Sequence, residues 1–160
     1  MLRSIVLAFS MVFLFTGCLK KQDAECNYDP CSYKAPASEI QAVQEYLTAN
    51  SLTATQHCSG LFYRIENEGT GARPTACSAV LARYKGMLTD GTVFDQSPAE
   101  GIGFYLSRVV RGWTNGIPLA KAGGRIVLYI PPSLGYGNQP NGSIPANSIL
   151  IFEVDVLDVK

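Results

Sequence analysis

The sequence predicts an α+β domain. In it a curled antiparallel β-sheet of about five strands wraps over one short helix, behind an N-terminal extension that holds a helix of its own. Three observations carry this. Residues 61–66, 77–88, 125–130 and 150–157 are apolar with period two or rich in β-branched residues, the mark of strands buried on a face. After residue 60 only residues 109–117 place their apolar side chains at helical spacing. Turn formers fill the intervals, with 15 Gly and 9 Pro scattered among 160 residues rather than run together. Strands on tight turns with one helix between them pack as a sheet curled across that helix.

The chain opens with Arg3 and an almost unbroken apolar run over residues 5–15. That run is shorter than the roughly 20 residues a bilayer requires, so residues 1–17 are read as a secretory signal peptide. Its end, Leu14-Phe15-Thr16-Gly17-Cys18, resembles the lipobox of bacterial lipoproteins, with Phe15 where Leu is usual. The resemblance implies cleavage before Cys18 and lipidation of its thiol. Leu19 is not the Asp that marks inner-membrane retention in the enteric pattern, which favours the outer membrane.

Residues 18–57 form the next unit. A polar tether over residues 19–37, broken by Pro30 and Pro36, leads to Ser38-Glu39-Ile40-Gln41, which has the form of a capping box. Ile40, Val43, Tyr46 and Leu47 follow at helical spacing. A helix over residues 39–49 is therefore expected, packed on the main domain rather than dimerising. With Cys18 lipidated, four cysteines remain, and an oxidising compartment favours two disulfides in one of three pairings. The local pairs Cys26–Cys31, around the turn-like Asn-Tyr-Asp-Pro, and Cys58–Cys77 are favoured.

The third unit, residues 58–160, is the main domain. Leu61, Tyr63 and Ile65 alternate along a first strand, and Glu68-Gly69-Thr70-Gly71 turns the chain. A second strand over residues 77–88 carries Val80, Ala82 and Tyr84 on one side. Asp90-Gly91 is a hairpin turn. Residues 92–95 return as a third strand, which Phe104-Tyr105-Leu106 resumes. Val109, Val110, Trp113, Gly116 and Ile117 fit one helical face, ended by Gly123-Gly124. Residues 125–130 form a β-branched strand stopped by Pro131-Pro132. A loop over residues 133–147 leads to the last strand, where Leu150, Phe152, Val154 and Val156 alternate with polar or outer positions.

Composition removes several functions. Lys+Arg and Asp+Glu are both 13, so no global field recruits nucleic acid. His57 is the only histidine, which leaves no hydrolytic triad and no metal site. No Gly-Lys-Ser/Thr phosphate cradle is present, and no cofactor is implied. What remains is the single tryptophan, Trp113, in Arg108-Val109-Val110-Arg111-Gly112-Trp113. Tyr84, Phe94-Asp95, Tyr136 and Phe152 stand in distinctive contexts around it. Trp113 is read as the floor of an apolar pocket and the other aromatics as its walls.

Tyr84-Lys85-Gly86-Met87-Leu88, Asp90 to Ser97, Val109 to Trp113, Ile130-Pro131-Pro132, Leu134-Gly135-Tyr136-Gly137, Ser143 to Asn147 and Leu150 to Val154 occur in one order. In that order they resemble the FKBP-type peptidyl-prolyl cis-trans isomerases, over about the last two-thirds of the chain. The resemblance implies an FKBP-like fold and pocket residues Tyr84, Phe94, Asp95, Ile102, Val109, Val110, Trp113, Tyr136, Ile144 and Phe152. It puts Trp113 beneath a substrate proline ring, with Tyr84, Phe94, Val109 and Phe152 around it and Ile102 as a further wall. The Val110 N–H and the Tyr136 hydroxyl would hold the flanking carbonyls.

Asp95 would sit where the rotating carbonyl passes; accepting the Tyr84 hydroxyl is an equal alternative for it. The loop over residues 138–143 is shorter than in well-known members and ends in Ser143 rather than Ile, which bears on ligand selectivity. The implied partners are proline-containing clients, macrolide-type inhibitors and, through the lipid, a membrane. Two other readings compete: a prolyl-peptide-binding chaperone or adaptor without turnover, and a thiol oxidoreductase using Cys26 and Cys31.

Overall fold

The computed structural model describes residues 26–160; the expected signal peptide and Cys18 lie outside the described residues. In chain order the elements are α1 (Ala37–Ala49), β1 (Thr55–Gln56), β2 (Phe62–Asn67), β3 (Ala79–Met87), β4 (Val93–Gln96), β5 (Ile102–Tyr105), α2 (Arg111–Gly116), β6 (Gly124–Ile130) and β7 (Leu150–Val159). The strands form one antiparallel sheet in the order β1-β2-β6-β7-β3-β4, and β5 shares with β4 the edge of β3 that β7 leaves open. This is the expected α+β architecture.

Seven strands stand where about five were expected, for two local reasons. The third strand is divided into β4 and β5 by residues 97–101, where the Ser97 N–H donates to the Tyr84 carbonyl (3.0 Å) and Gly101 turns at φ +82°. The two-residue β1 pairs with Phe62 and Tyr63 of β2. The sheet therefore begins before the boundary expected at residue 58. The Asp90-Gly91 hairpin forms as the sequence predicts. Gly91 takes φ +85°, and the Leu88 N–H donates to the Thr92 carbonyl at 2.9 Å.

The two faces of the sheet are covered differently. On the concave face Val80, Ala82, Ile126, Leu128, Phe152, Val154 and Val156 pack with Leu106, Trp113 and Ile117 from the α2 region. Gly112 and Gly116 let α2 lie against β6, since a Cβ would fall 2.5 Å from Ile130 at the first and 2.6 Å from Leu128 at the second. On the convex face α1 packs Val43 and Leu47 on Phe62, Val127, Tyr129 and Ile151. Burial from both sides explains why β6 reads as a continuous apolar run rather than an alternating one. Beyond α1 the convex face carries an ion-pair ladder, with Arg125 on Glu66 (2.8 Å), Glu153 (2.8 Å) and Asp155 (3.3 Å), and Arg83 also on Asp155 (3.0 Å).

Three expectations are corrected. Helix α1 starts at Ala37 behind Pro36 and has no side-chain cap, so the capping box does not form. The Pro36 carbonyl accepts the Glu39 (3.0 Å) and Ile40 (3.1 Å) N–H groups, which puts Ser38 inside the first turn. Helix α2 begins at Arg111, so Val109 and Val110 precede it; the Val110 carbonyl accepts the Trp113 N–H at 2.9 Å.

The third correction concerns the tether. Residues 26–35 are a strap docked on the domain, and the disulfides are Cys26–Cys77 and Cys31–Cys58 rather than the two local pairs. The strap crosses α2, where the Tyr28 hydroxyl donates to Asn115 Oδ1 (2.7 Å) and Asn115 Nδ2 donates to the Pro30 carbonyl (3.3 Å). The Ala35 N–H donates to the Ser59 carbonyl (2.8 Å), and Ala35 is buried in the main core. Each strap cysteine thus meets a distant loop instead of its sequence neighbour. Cys26 and Cys31 are not bonded to each other, which removes the basis for a thiol redox pair.

A candidate aromatic binding pocket

Trp113 is placed by α2 with only 4% of its surface exposed. Three rings stand nearly perpendicular to its indole: Tyr84 from β3 (5.0 Å between centroids, 83°), Phe104 from β5 (5.1 Å, 78°) and Phe152 from β7 (5.2 Å, 82°). Edge-to-face pairs at these distances are the favoured aromatic geometry, so the floor and walls hold each other in place. Phe94 from β4 stands edge-on behind Phe152 (5.5 Å, 87°). Gly86 makes room for that pair, because a Cβ there would lie 2.7 Å from Phe94 and 2.8 Å from Phe152.

Over this floor is a cavity of about 360 Å³, completed by Asp95, Arg108, Val109, Val110 and Tyr136. The Tyr84 hydroxyl donates to Asp95 Oδ2 at 2.6 Å, and the Ser97 hydroxyl and N–H fix the Tyr84 backbone (both 3.0 Å). Burial first, then the hydrogen bond to the Asp95 carboxylate, pushes the Tyr84 hydroxyl far above the ordinary phenol range. Burial, with Asp95 second, raises Tyr136 as well. Both phenols therefore keep their protons at physiological pH and act as donors. Tyr84 is committed to Asp95. The Tyr136 hydroxyl and the Val110 N–H have no acceptor among the described residues, nor has the buried indole N–H of Trp113.

Of the residues singled out in the sequence, Tyr84, Asp95, Val109, Val110, Trp113, Tyr136 and Phe152 line this one cavity. Phe94 supports it from behind. Ile144 is buried in the main core (6% exposed) but does not line the cavity. Ile102 does not line it either; it opens β5 opposite Ala82 with 45% of its surface exposed. The wall expected from Ile102 is supplied by Phe104, two residues on, which lies opposite Val80 and 5.7 Å from the Tyr84 ring. Strand alternation puts both side chains on one face, so the sequence did hold a signal for Phe104. Arg108 was also missed, having been read only as part of the tryptophan motif.

The arrangement contains no nucleophile beside a base. No metal-binding cluster is found among the described residues, and His57, bonded to Ser59 at 2.9 Å, lies outside the cavity. Its chemistry is that of an apolar slot with two unsatisfied donors on its walls, suited to an extended segment with carbonyls on either side of a compact apolar ring.

Comparison with known proteins agrees. The profile of the FKBP-type peptidyl-prolyl cis-trans isomerase family matches residues 71–157. The FKBP-type peptidyl-prolyl cis-trans isomerase FkpA of Aeromonas hydrophila is 42% identical over 123 residues, covering 73% of this chain and 45% of that protein. A probable FKBP-type peptidyl-prolyl cis-trans isomerase of Haemophilus influenzae is 46% identical over 119 residues, covering 72% and 48%. The chain thus spans less than half the length of these relatives. The crystal structure of FkpA from Escherichia coli superposes with a TM-score of 0.70 at 38% identity, over 78% of this chain and 60% of that one. A peptidyl-prolyl cis-trans isomerase from Pseudomonas syringae gives 0.68 at 29% identity, over 79% and 98%.

Proposed function

Because the chain belongs to the FKBP-type peptidyl-prolyl cis-trans isomerase family, we propose that its pocket catalyses rotation about X-Pro bonds in exported polypeptides. The observation that carries this is the buried aromatic floor beneath two unsatisfied donors. Turning an X-Pro amide costs about 20 kcal/mol because resonance is lost, and spontaneous exchange takes tens of seconds or more. The twisted amide has a less polar carbonyl than the planar one. A dry aromatic slot favours it, which is catalysis by differential binding.

In this reading the proline ring rests on Trp113 between Tyr84, Val109 and Phe152. The Val110 N–H and Tyr136 hydroxyl hold the carbonyls on either side so that the bond between them turns. Asp95 orients Tyr84 and closes one wall, the structural alternative of its two roles. Two disulfides fit an exported protein. A lipid on Cys18 would place the domain at the outer membrane, within reach of newly translocated clients.

A protease-coupled isomerisation assay on the chain from residue 19 tests the proposal. An X-Pro peptide should relax faster, a macrolide should abolish the gain, and Asp95→Val or Phe94→Ala should remove most of it. No acceleration overturns it. Aggregation suppression that persists in the Asp95 variant would favour the non-catalytic binding module instead.

A further inference from the structure

The described residues include six arginines, and four of them, Arg64, Arg73, Arg83 and Arg125, lie within 3.0 Å of a carboxylate. The other two, Arg108 and Arg111, have no carboxylate partner among the described residues, and both flank Val109-Val110 at the cavity. Each guanidinium lies instead over an exposed tyrosine. Arg108 is 5.1 Å from the Tyr105 ring and Arg111 is 4.4 Å from the Tyr33 ring. The two tyrosines are 58% and 38% exposed.

Stacking on a ring leaves a guanidinium's edge donors free while restricting its motion. That is a preorganised receptor for a carboxylate, which accepts two parallel N–H bonds in the guanidinium plane. Arg108 lines the aromatic cavity itself. Arg111 lines a neighbouring hollow of about 310 Å³ with Tyr28, Ser32, Tyr33 and Asn115. In the chain, one unpaired guanidinium thus stands on either side of Val109-Val110, each lining one of the two hollows. The one carboxylate on the cavity, Asp95, is engaged by Tyr84.

From this geometry we propose that Arg108 and Arg111 select clients carrying an acidic residue close to the target proline. The inference rests on the isomerase reading and names its substrate class. A proline between Asp or Glu neighbours binds with its ring on Trp113 and its carboxylates on the two guanidinium–tyrosine stacks. Lysine at the same positions meets like charge.

The test uses the full chain and proline tetrapeptides bearing Glu, Ala or Lys on either side of the proline. The readout is the Glu-to-Lys ratio of kcat/KM within each protein, so a general loss of activity does not bias it. The wild type should favour Glu about tenfold at roughly 20 mM ionic strength, and about twofold once salt screens exposed pairs near 0.5 M. Arg108→Gln and Arg111→Gln together should bring the ratio to about one, the single variants showing which side each serves. Arg83→Gln, on the convex ladder, should keep it. A wild-type ratio near one, or a preference that survives in the double variant, overturns the proposal. Should no peptide be accelerated, the isomerase reading fails by itself. Binding of the same peptides, followed by Trp113 fluorescence, still decides the carboxylate preference.

Discussion

The two sides of the pocket are built in different ways. The α2 side is interlocked. Trp113 is gripped by three rings, the Thr114 hydroxyl donates to the Leu106 carbonyl (2.6 Å), and the strap lies across Asn115 between two disulfides. The Tyr136 side is a loop shaped by backbone hydrogen bonds. The Gly137 N–H donates to the Pro132 carbonyl (2.8 Å) with Gly137 at φ +74°, and the Asn147 N–H returns to the Gly137 carbonyl (2.9 Å). Tyr136 itself is 40% exposed. The contrast teaches a division of labour: one side fixes the floor by packing rings against each other, while the other presents an exposed hydroxyl donor from a loop held by its backbone.

Removing the staples is the strongest way to break this contrast. The bridges span sequence separations of 51 and 27 residues. Loop-closure entropy then assigns about 4 kcal/mol to Cys26–Cys77 and about 3.5 kcal/mol to Cys31–Cys58. Replacing either pair by serine should lower the urea midpoint accordingly and free Asn115 from Tyr28. An unmoved midpoint in both double variants would show that the strap is passive.

Trp113→Leu comes next. The indole is both pocket floor and core. About 3 kcal/mol of stability should be lost for the vacated volume, together with at least tenfold in peptide and macrolide affinity. Chemical denaturation and ligand titration of one preparation read both. A variant that loses only one of the two would separate floor from core.

Much of the interlocked side was legible in the sequence, because it rests on local signals. Period-two runs gave β2, β3 and β7, a β-branched run gave β6, Asp90-Gly91 gave the hairpin, and the order of Tyr84, Phe94-Asp95, Trp113 and Phe152 gave the pocket. The errors fell where partners are distant in the chain. Cysteine spacing cannot show that a strap crosses α2, so the pairing went to neighbours. Ile102 and Phe104 share a face, and only the curl of the sheet decides which reaches the indole. The capping box failed because Pro36 already begins the helix, and Ser38 and Gln41 were left without the geometry the motif describes.

That failure leaves Glu39 for another use. Its carboxylate accepts the Ser133 N–H at 2.8 Å, at the start of the turn that leads to Tyr136. This bond joins α1 to the Tyr136 side of the pocket across 94 residues of sequence. Glu39→Ala would leave a half-buried N–H without its acceptor, a loss of about 1–2 kcal/mol. It should let the loop drift, raising KM about threefold while kcat falls less. Glu39→Gln keeps an oxygen for Ser133 but removes the negative charge from the first turn of α1, worth about 0.5 kcal/mol at a helix N-terminus. The two variants should therefore part company. Both lose some stability, but only the alanine variant should raise KM. Equal KM values in the two would mean that Glu39 acts through its charge on α1 alone, and that the Tyr136 loop holds its shape without help from the N-terminal extension.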